Sequence, residues 1–379
     1  MNLRRSFLAT AAMLLAARCL AAPSGLDRHG ADEAIARLWN ERREALRAER
    51  GEEFKARALA VAGKTLRWKE RAFGTAPASG PSLWISLHGG GGAPPAVNDR
   101  QWTNQIRLYQ PAEGIYVAPR APTDTWNLWH EGHIDPMFDR LIEDYVALRG
   151  VDPNRVYVLG YSAGGDGVWQ LGPRMADRWA AAAMMAGHPN SASLLSLRNL
   201  PFAIFVGGAD DAYNRNKVVA ERAAQLDQLE KADPGGYPHM SRVYPGMPHW
   251  MGGKDAEAIP WMAKRTRDPW PKKIVWLQEG PAHTRFYWLS IPADAAKGGK
   301  RIDATVDGQT VRLTGDVPDG TELRLSDKLL DLDRTVTVFV GDRRVFEGSV
   351  PRTDEAIRRS LAERGDPPGA ATALLRLKL

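Results

Sequence analysis

A serine stands at the centre of Gly160-Tyr161-Ser162-Ala163-Gly164, with Gly165 and Gly167 following. Glycine weakens a helix, so four glycines where a helix begins answer some other demand. The spacing is G-x-S-x-G, the pattern of a tight strand–turn–helix that holds a serine in strained backbone geometry and exposes its hydroxyl. Gly160 and Gly164 remove side chains that would collide across the turn, and Gly165 and Gly167 let the helix lie close to the sheet. A serine hydroxyl attacks a carbonyl only with a base to take its proton and a carboxylate to orient that base. His249, in "YPGMPHWMGG", offers the base. Asp210, three residues after Gly207 in "IFVGGADDAY", offers the carboxylate, with Asp211 as the alternative.

Acyl transfer builds negative charge on the substrate oxygen, which needs backbone N–H donors close by. Ala163, directly after the serine, is one candidate donor. Gly90 or Gly91, in His88-Gly89-Gly90-Gly91-Gly92, is the other. Two competing readings of these glycines fail on spacing. A dinucleotide loop needs G-x-G-x-x-G, and a phosphate loop needs a following G-K-[ST]. The other histidines fit the role of base less well. His239 sits at the wrong end of its strand, His188 precedes the acid, and His130 and His133 come too early. "WHEGH" lacks the H-E-x-x-H spacing of a metal site, so no metal and no cofactor is expected.

These residues need elements to carry them. "LWISLH", "GIYVAPR", "RVYVLG", "FAIFVGG" and "SRVYPG" are short, continuously apolar runs that suit strands buried on both faces of a parallel sheet. Between them, "MFDRLIEDYVALRG" and "NKVVAERAAQLDQLEK" carry apolar residues at helical spacing. Alternation of this kind predicts an α/β fold with a doubly wound, mostly parallel sheet. Upstream, residues 32–62 suggest one or two surface helices, and "KTLRWKERAFG" reads as an edge strand. After "RDPWPKK" the helices stop, and residues 271–350 read as a small antiparallel β domain. Asp307-Gly308 fits a type I′ turn there and Gly341-Asp342 a type II′ turn. Residues 351–379 read as a helix and tail, which leaves residues 23–270 as the catalytic domain.

Residues 1–22 read as a signal peptide. Arg4 and Arg5 precede the apolar "SFLATAAMLLAA", and small residues at Cys19 and Ala21 are spaced for cleavage. "RRSFL" resembles a twin-arginine export signal, so a periplasmic or secreted protein is expected. Cys19 is the single cysteine, so the cleaved chain would hold no disulfide, thiolate metal site or cysteine nucleophile. Fifty-one basic residues against 45 acidic give a mild +6 over 379 residues. No basic run is interleaved with aromatics, so no nucleic-acid partner is expected. Past the export segment, no stretch is apolar and long enough to span a bilayer.

With "HGGGG", "GYSAGG", "GGADDAY" and "PGMPHW" in this order, the chain resembles an α/β hydrolase of the secreted esterase or depolymerase kind, over roughly Leu66 to Arg267. "GYSAGGDG" is similar to the nucleophile motif of feruloyl-esterase-like, polyhydroxybutyrate-depolymerase-like and prolyl-oligopeptidase-like enzymes. The resemblance implies a Ser162–His249–Asp210 mechanism through an acyl-enzyme on a small-molecule or polymeric ester. A peptidase and an inert polymer-binding protein are the alternatives. Trp126, Trp129 and Trp250 are candidates for an apolar substrate wall, with core packing as the competing role.

Overall fold

The computed structural model describes residues 25–379, so the expected signal peptide lies outside the described residues. The chain enters on one long helix, α1 (Arg28–Lys55), whose first turn is capped by the Asp27 carboxylate accepting from Gly30 N at 2.7 Å. Of the one or two helices expected over residues 32–62 there is one, and the end of that stretch, including Leu59, falls on the strand that follows. That strand, β1 (Ala58–Val61), forms a hairpin with β2 (Lys64–Phe73). The expected edge strand β2 is therefore internal, because β1 covers its outer side.

Strands and helices then alternate: β3 (Leu83–Leu87), α2 (Pro95–Leu108), β4 (Gly114–Arg120), α3 (Ile134–Arg149), β5 (Val156–Tyr161), α4 (Ala163–Arg174), β6 (Ala181–Met185), β7 (Phe202–Gly207), α5 (Arg215–Ala232), β8 (His239–Tyr244) and the short α6 (Ala258–Met262). Every residue of β3 to β7 is buried, as continuous apolar runs demand of strands covered on both faces. The eight strands lie in the order β1-β2-β4-β3-β5-β6-β7-β8. All pairs from β4 to β8 are parallel. From β3 the chain steps outward to β4, then returns to the other side of β3 as β5. Connections leaving β3 and β5 therefore diverge to opposite faces, opening a crevice at their carboxyl ends. The glycine loop leaves β3 there, and Ser162 leaves β5.

The C-terminal region departs from one antiparallel sheet. Its strands are β9 (Lys273–Leu277), β10 (Arg285–Phe286), β11 (Leu289–Ser290), β12 (Arg301–Asp307), β13 (Thr310–Gly315), β14 (Glu322–Leu325), β15 (Val336–Val340), β16 (Arg343–Gly348) and, after helix α7 (Asp354–Arg364), β17 (Ala373–Arg376). They form two sheets, β16-β15-β13-β12-β9 and β10-β11-β14-β17. The pair β13/β15 is parallel, and the tail supplies β17. The β12–β13 turn is centred on Gly308 and Gln309, since Asp307 pairs with Thr310. Only Gly308 has positive φ in that turn, so its geometry is that of a type II′ turn with glycine first, not type I′. One continuous apolar cluster joins Val158 and Trp179 of the large sheet's flank to Trp288, Leu313 and Val338. The indole of Trp288 donates to Pro271 O at 2.8 Å, and Arg267 bonds Asp366 at 2.7 Å. α1 lays Ala31, Ala34 and Leu38 on Ile357 and Leu361 of α7, packing the first described helix against the last.

Two alanine substitutions separate close packing from mere glycine content. A Cβ on Gly164 would strike the Leu87 carbonyl oxygen, whereas one on Gly51, inside α1, meets nothing within 4 Å. Gly164→Ala is expected to destabilise by about 3 kcal/mol or more. Gly51→Ala is expected to stabilise by about 0.5–1 kcal/mol. Urea denaturation of both variants checks this, and equal effects would contradict it.

Candidate active site

Ser162 sits between β5 and α4 at φ 58° and ψ −125°, a backbone state that L-residues adopt only under constraint. The constraint is packing across the turn. A Cβ on Gly160 would collide with the backbone of Gly164, and Gly167 lies against the Trp129 side chain. Ser162 N donates to Met185 O at 2.9 Å, which ties the turn to β6.

The candidate acid and base arrive from two neighbouring parallel strands. Asp210 follows β7 and His249 follows β8. Their loops are joined by Gly208 N to Tyr244 O at 2.8 Å and Ala209 N to Met247 O at 2.9 Å. His249 Nδ1–H donates to Asp210 Oδ2 at 2.7 Å, and Ser162 Oγ–H donates to His249 Nε2 at 3.0 Å. A carboxylate only accepts, which assigns the proton to Nδ1 and leaves Nε2 free to take one. Asp210 is buried, while Asp211 is exposed. Asp211 makes no side-chain bond to His249.

Several supporting residues carry no sequence motif. Arg215 Nη1 donates to Asp210 Oδ1 at 2.6 Å, turning Oδ2 toward the imidazole. The same nitrogen lies 3.1 Å from His249 Nδ1, so both donors converge on one carboxylate. Tyr161 O–H donates to His249 O at 2.7 Å and accepts from Met251 N at 3.0 Å, clamping the histidine loop to the serine turn. No motif announces these bonds: Arg215 lies only five residues past Asp210 but in no recognised pattern, and the others join residues 34 to 90 positions apart.

The glycine loop after β3 is equally held. His88 is buried, and burial pushes its pKa down to about 4, so the ring is neutral. His88 Nε2 accepts from Ala121 N at 3.1 Å, so Nδ1–H donates to Gly89 O at 2.6 Å. Gly91 N–H is taken by Asn98 Oδ1 at 3.0 Å, with the Asn98 amide in turn donating to Asp124 Oδ1 at 2.7 Å. Gly91 is therefore not a free donor. Gly90 N–H and Ala163 N–H have no acceptor among the described residues, and Ala163 opens α4, whose first N–H groups point outward.

The three tryptophans divide. Trp126 is 64% exposed and Trp250 52%. Trp129 is fully buried, its indole N–H donating to His88 O at 2.9 Å and its ring stacked on Phe138. It braces the glycine loop from inside the core and is no substrate wall. Two hollows meet at Ser162 and Gly90. One, about 430 Å³, is lined by Gln101, Gln105, Leu108, Tyr161, His249 and Trp250. The other, about 500 Å³, is lined by Trp126, Asp166, His188, Asn190, Tyr213 and Arg215, with Ala163.

Asp166 Oδ1 accepts from His188 N at 2.6 Å. Burial raises its pKa to about 6, against the usual value near 4. The fold thus favours the protonated form. Ionised Asp166 costs stability above pH 6, the cost shrinks between pH 6 and 4, and it vanishes below. Asp166→Asn is expected to exceed wild type by on the order of 2–3 kcal/mol at pH 8 and to match it at pH 4. Urea denaturation at both pH values checks this, and a difference that does not change with pH contradicts it.

No family model matches the chain. It is 30% identical over 169 residues to the esterase candidate NocK of Nocardia uniformis subsp. tsuyamanensis, covering 41% of this chain and 48% of that protein. The chain thus spans about half the length of the curated relative it matches. Among solved structures, a thermostable esterase aligns with a TM-score of 0.43 at 19% identity, over 55% of this chain and 62% of that one. A ferulic acid esterase aligns at 0.35 and 16% identity, over 55% and 96%. The feruloyl esterase module of Clostridium thermocellum, complexed with sinapinate, aligns at 0.38 and 17% identity, over 54% and 85%. By its own strand order, the reversal at β3 and β5, and the serine turn that follows β5, the chain has the α/β-hydrolase fold.

Proposed function

We propose that the protein is a serine hydrolase that cleaves a carboxylic ester through an acyl-enzyme. The observation that carries this reading is the unbroken hydrogen-bond chain Ser162–His249–Asp210, opening beside two backbone N–H groups that have no acceptor among the described residues. Ser162 Oγ attacks the ester carbonyl carbon as His249 Nε2 takes its proton. Gly90 and Ala163 N–H groups hold the oxyanion, each such donor being worth on the order of a hundredfold in rate. Asp210, fixed by Arg215, stabilises the imidazolium. Collapse of the intermediate breaks the bond to the alcohol, which leaves with the proton from His249. A water then attacks the acyl-serine, gives His249 its proton, and the carboxylic acid departs as Ser162 regains its hydrogen.

The N-terminal arginine pair and apolar run support a site of action outside the cytoplasm. N-terminal sequencing of the protein recovered from the periplasm or medium tests that, with cleavage after about residue 22 expected.

Hydrolysis of p-nitrophenyl acetate tests the chemistry. Ser162→Ala and His249→Ala are each expected to lower kcat/KM by about 10³-fold or more with the melting temperature retained. Asp210→Asn is expected to lower it strongly, and Asp211→Asn to stay within about twofold. Activity of Ser162→Ala within about tenfold of wild type, or a larger loss at Asp211 than at Asp210, would overturn the assignment.

A further inference from the structure

Arg324 stands on β14 between Leu323 and Leu325 and is buried almost as completely as they are, at 1% exposed. Side chains alternate along a strand, so its guanidinium leaves the face opposite to theirs, toward α7. Nε, Nη1 and Nη2 are all buried, and none has a hydrogen-bond partner among the described residues. Glu363 Oε2 stands 2.8 Å from Nη2 without the alignment of a hydrogen bond, and Glu322 Oε1 lies 3.6 Å from Nη1. Arginine does not shed its proton to escape burial, so the charge and its donors stay in place.

The pocket beside it gathers more of the same charge. Arg267, Arg285, Arg324 and Arg364 line it, against Asp177 and Asp366. Arg267 is paired with Asp366 at 2.7 Å, and Arg364 with Asp177. Around them, Arg178 is paired with Asp139 and Arg359 with Glu322. Arg285 and Arg324 are then left facing one carboxylate between them, Glu363, so one positive charge is not offset. Burial, with Arg364 and Arg324 close by, holds the Arg285 guanidinium well below the ordinary arginine range. The pocket measures about 10 Å³, room for one guest of about water's size. A water would accept from the donors but leave the charge. A phosphate or carboxylate would offset the charge but is too large. Asp177 and Arg267 come from the α/β body, and Arg285 and Arg324 from the C-terminal sheets. Asp177 precedes β6, at the amino ends of the parallel strands and the opposite edge from Ser162.

We infer that this pocket binds one chloride ion between the guanidinium groups of Arg324 and Arg285, and that the ion joins the C-terminal β region to the α/β body. Chloride supplies both things the pocket lacks: an acceptor for the Arg324 donors and a negative charge small enough to enter. The walls come together only when the two parts of the chain are docked. The unfolded chain has no such pocket, so chloride adds directly to folding stability.

The test is urea unfolding in sodium gluconate, whose anion is too large for the pocket. Sodium chloride replaces the gluconate from about 2 to about 200 mM at constant ionic strength, so that screening is unchanged. The unfolding equilibrium constant of the wild type is expected to fall with chloride. As the site fills, it should fall about tenfold for each tenfold rise in chloride, the slope of one ion released on unfolding. Arg324→Met, of similar length but uncharged, should be indifferent to the exchange. Equal stability of the wild type in chloride and gluconate overturns the inference, and so does a chloride dependence that persists in Arg324→Met. If that variant does not fold, crystals of the wild type grown in sodium bromide decide the matter. An anomalous peak against the Arg324 guanidinium is expected there, and its absence overturns the inference. Failure here leaves the Ser162 assignment standing.

Discussion

Everything at this site depends on one strained residue. Ser162 occupies a backbone state that side chains normally forbid, and it is held there because the chain around it leaves no room to relax. Gly160 and Gly164 press against each other's backbone and against the end of β3. That closeness brings the glycine loop after β3 within reach of the hydroxyl, with Gly89 beside Ser162. Strand order then matters for a simple reason: only neighbours whose connections leave to opposite faces open a crevice at this point. The buried, neutral His88 and the buried Trp129 fill the space beneath the loop, so the donor geometry is set by the core.

The Asp210–His249 arm rests on a second set of constraints. Adjacent parallel strands β7 and β8 deliver Asp210 and His249 side by side, and backbone hydrogen bonds lock their loops together. The Tyr161 hydroxyl ties that arm to the serine turn. Two carboxyl groups lie close to this machinery in different surroundings. Asp210 receives a guanidinium and an imidazole N–H. Asp166 receives the His188 N–H and is half-buried, and burial raises its pKa. Environment, not residue type, separates a carboxylate held between a guanidinium and an imidazole from one whose pKa burial raises.

Much of this was legible in the sequence, because the signals are local. Continuous apolar runs marked four strands buried on both faces and a fifth, β8, which is a strand but lies half-exposed at the sheet's edge, and "GYSAGG", "HGGGG" and the order of Asp210 and His249 marked the crevice. What stayed hidden was set by distant contacts. β6 is Ala181–Met185, a run of three alanines and two methionines with little strand propensity, imposed as a strand by its neighbours β5 and β7. Trp129 looked like Trp126 in composition, and only packing under His88 separates them. Gly91 differs from Gly90 because Asn98, on α2, consumes its N–H. Arg215 opens α5 with no motif around it. In the C-terminal region, alternation gave the strands but not their partners, so the parallel β13/β15 pair and the return of β17 had no local signature.

The most direct measurement is the position of a covalent adduct. The protein is incubated with a fluorophosphonate, and the modified residue is located by peptide mass mapping. Strain, base and donors converge on one hydroxyl, so one adduct per chain is expected, on Ser162, with none formed after denaturation. Modification of another residue, or full reactivity retained in Ser162→Ala, would contradict the account.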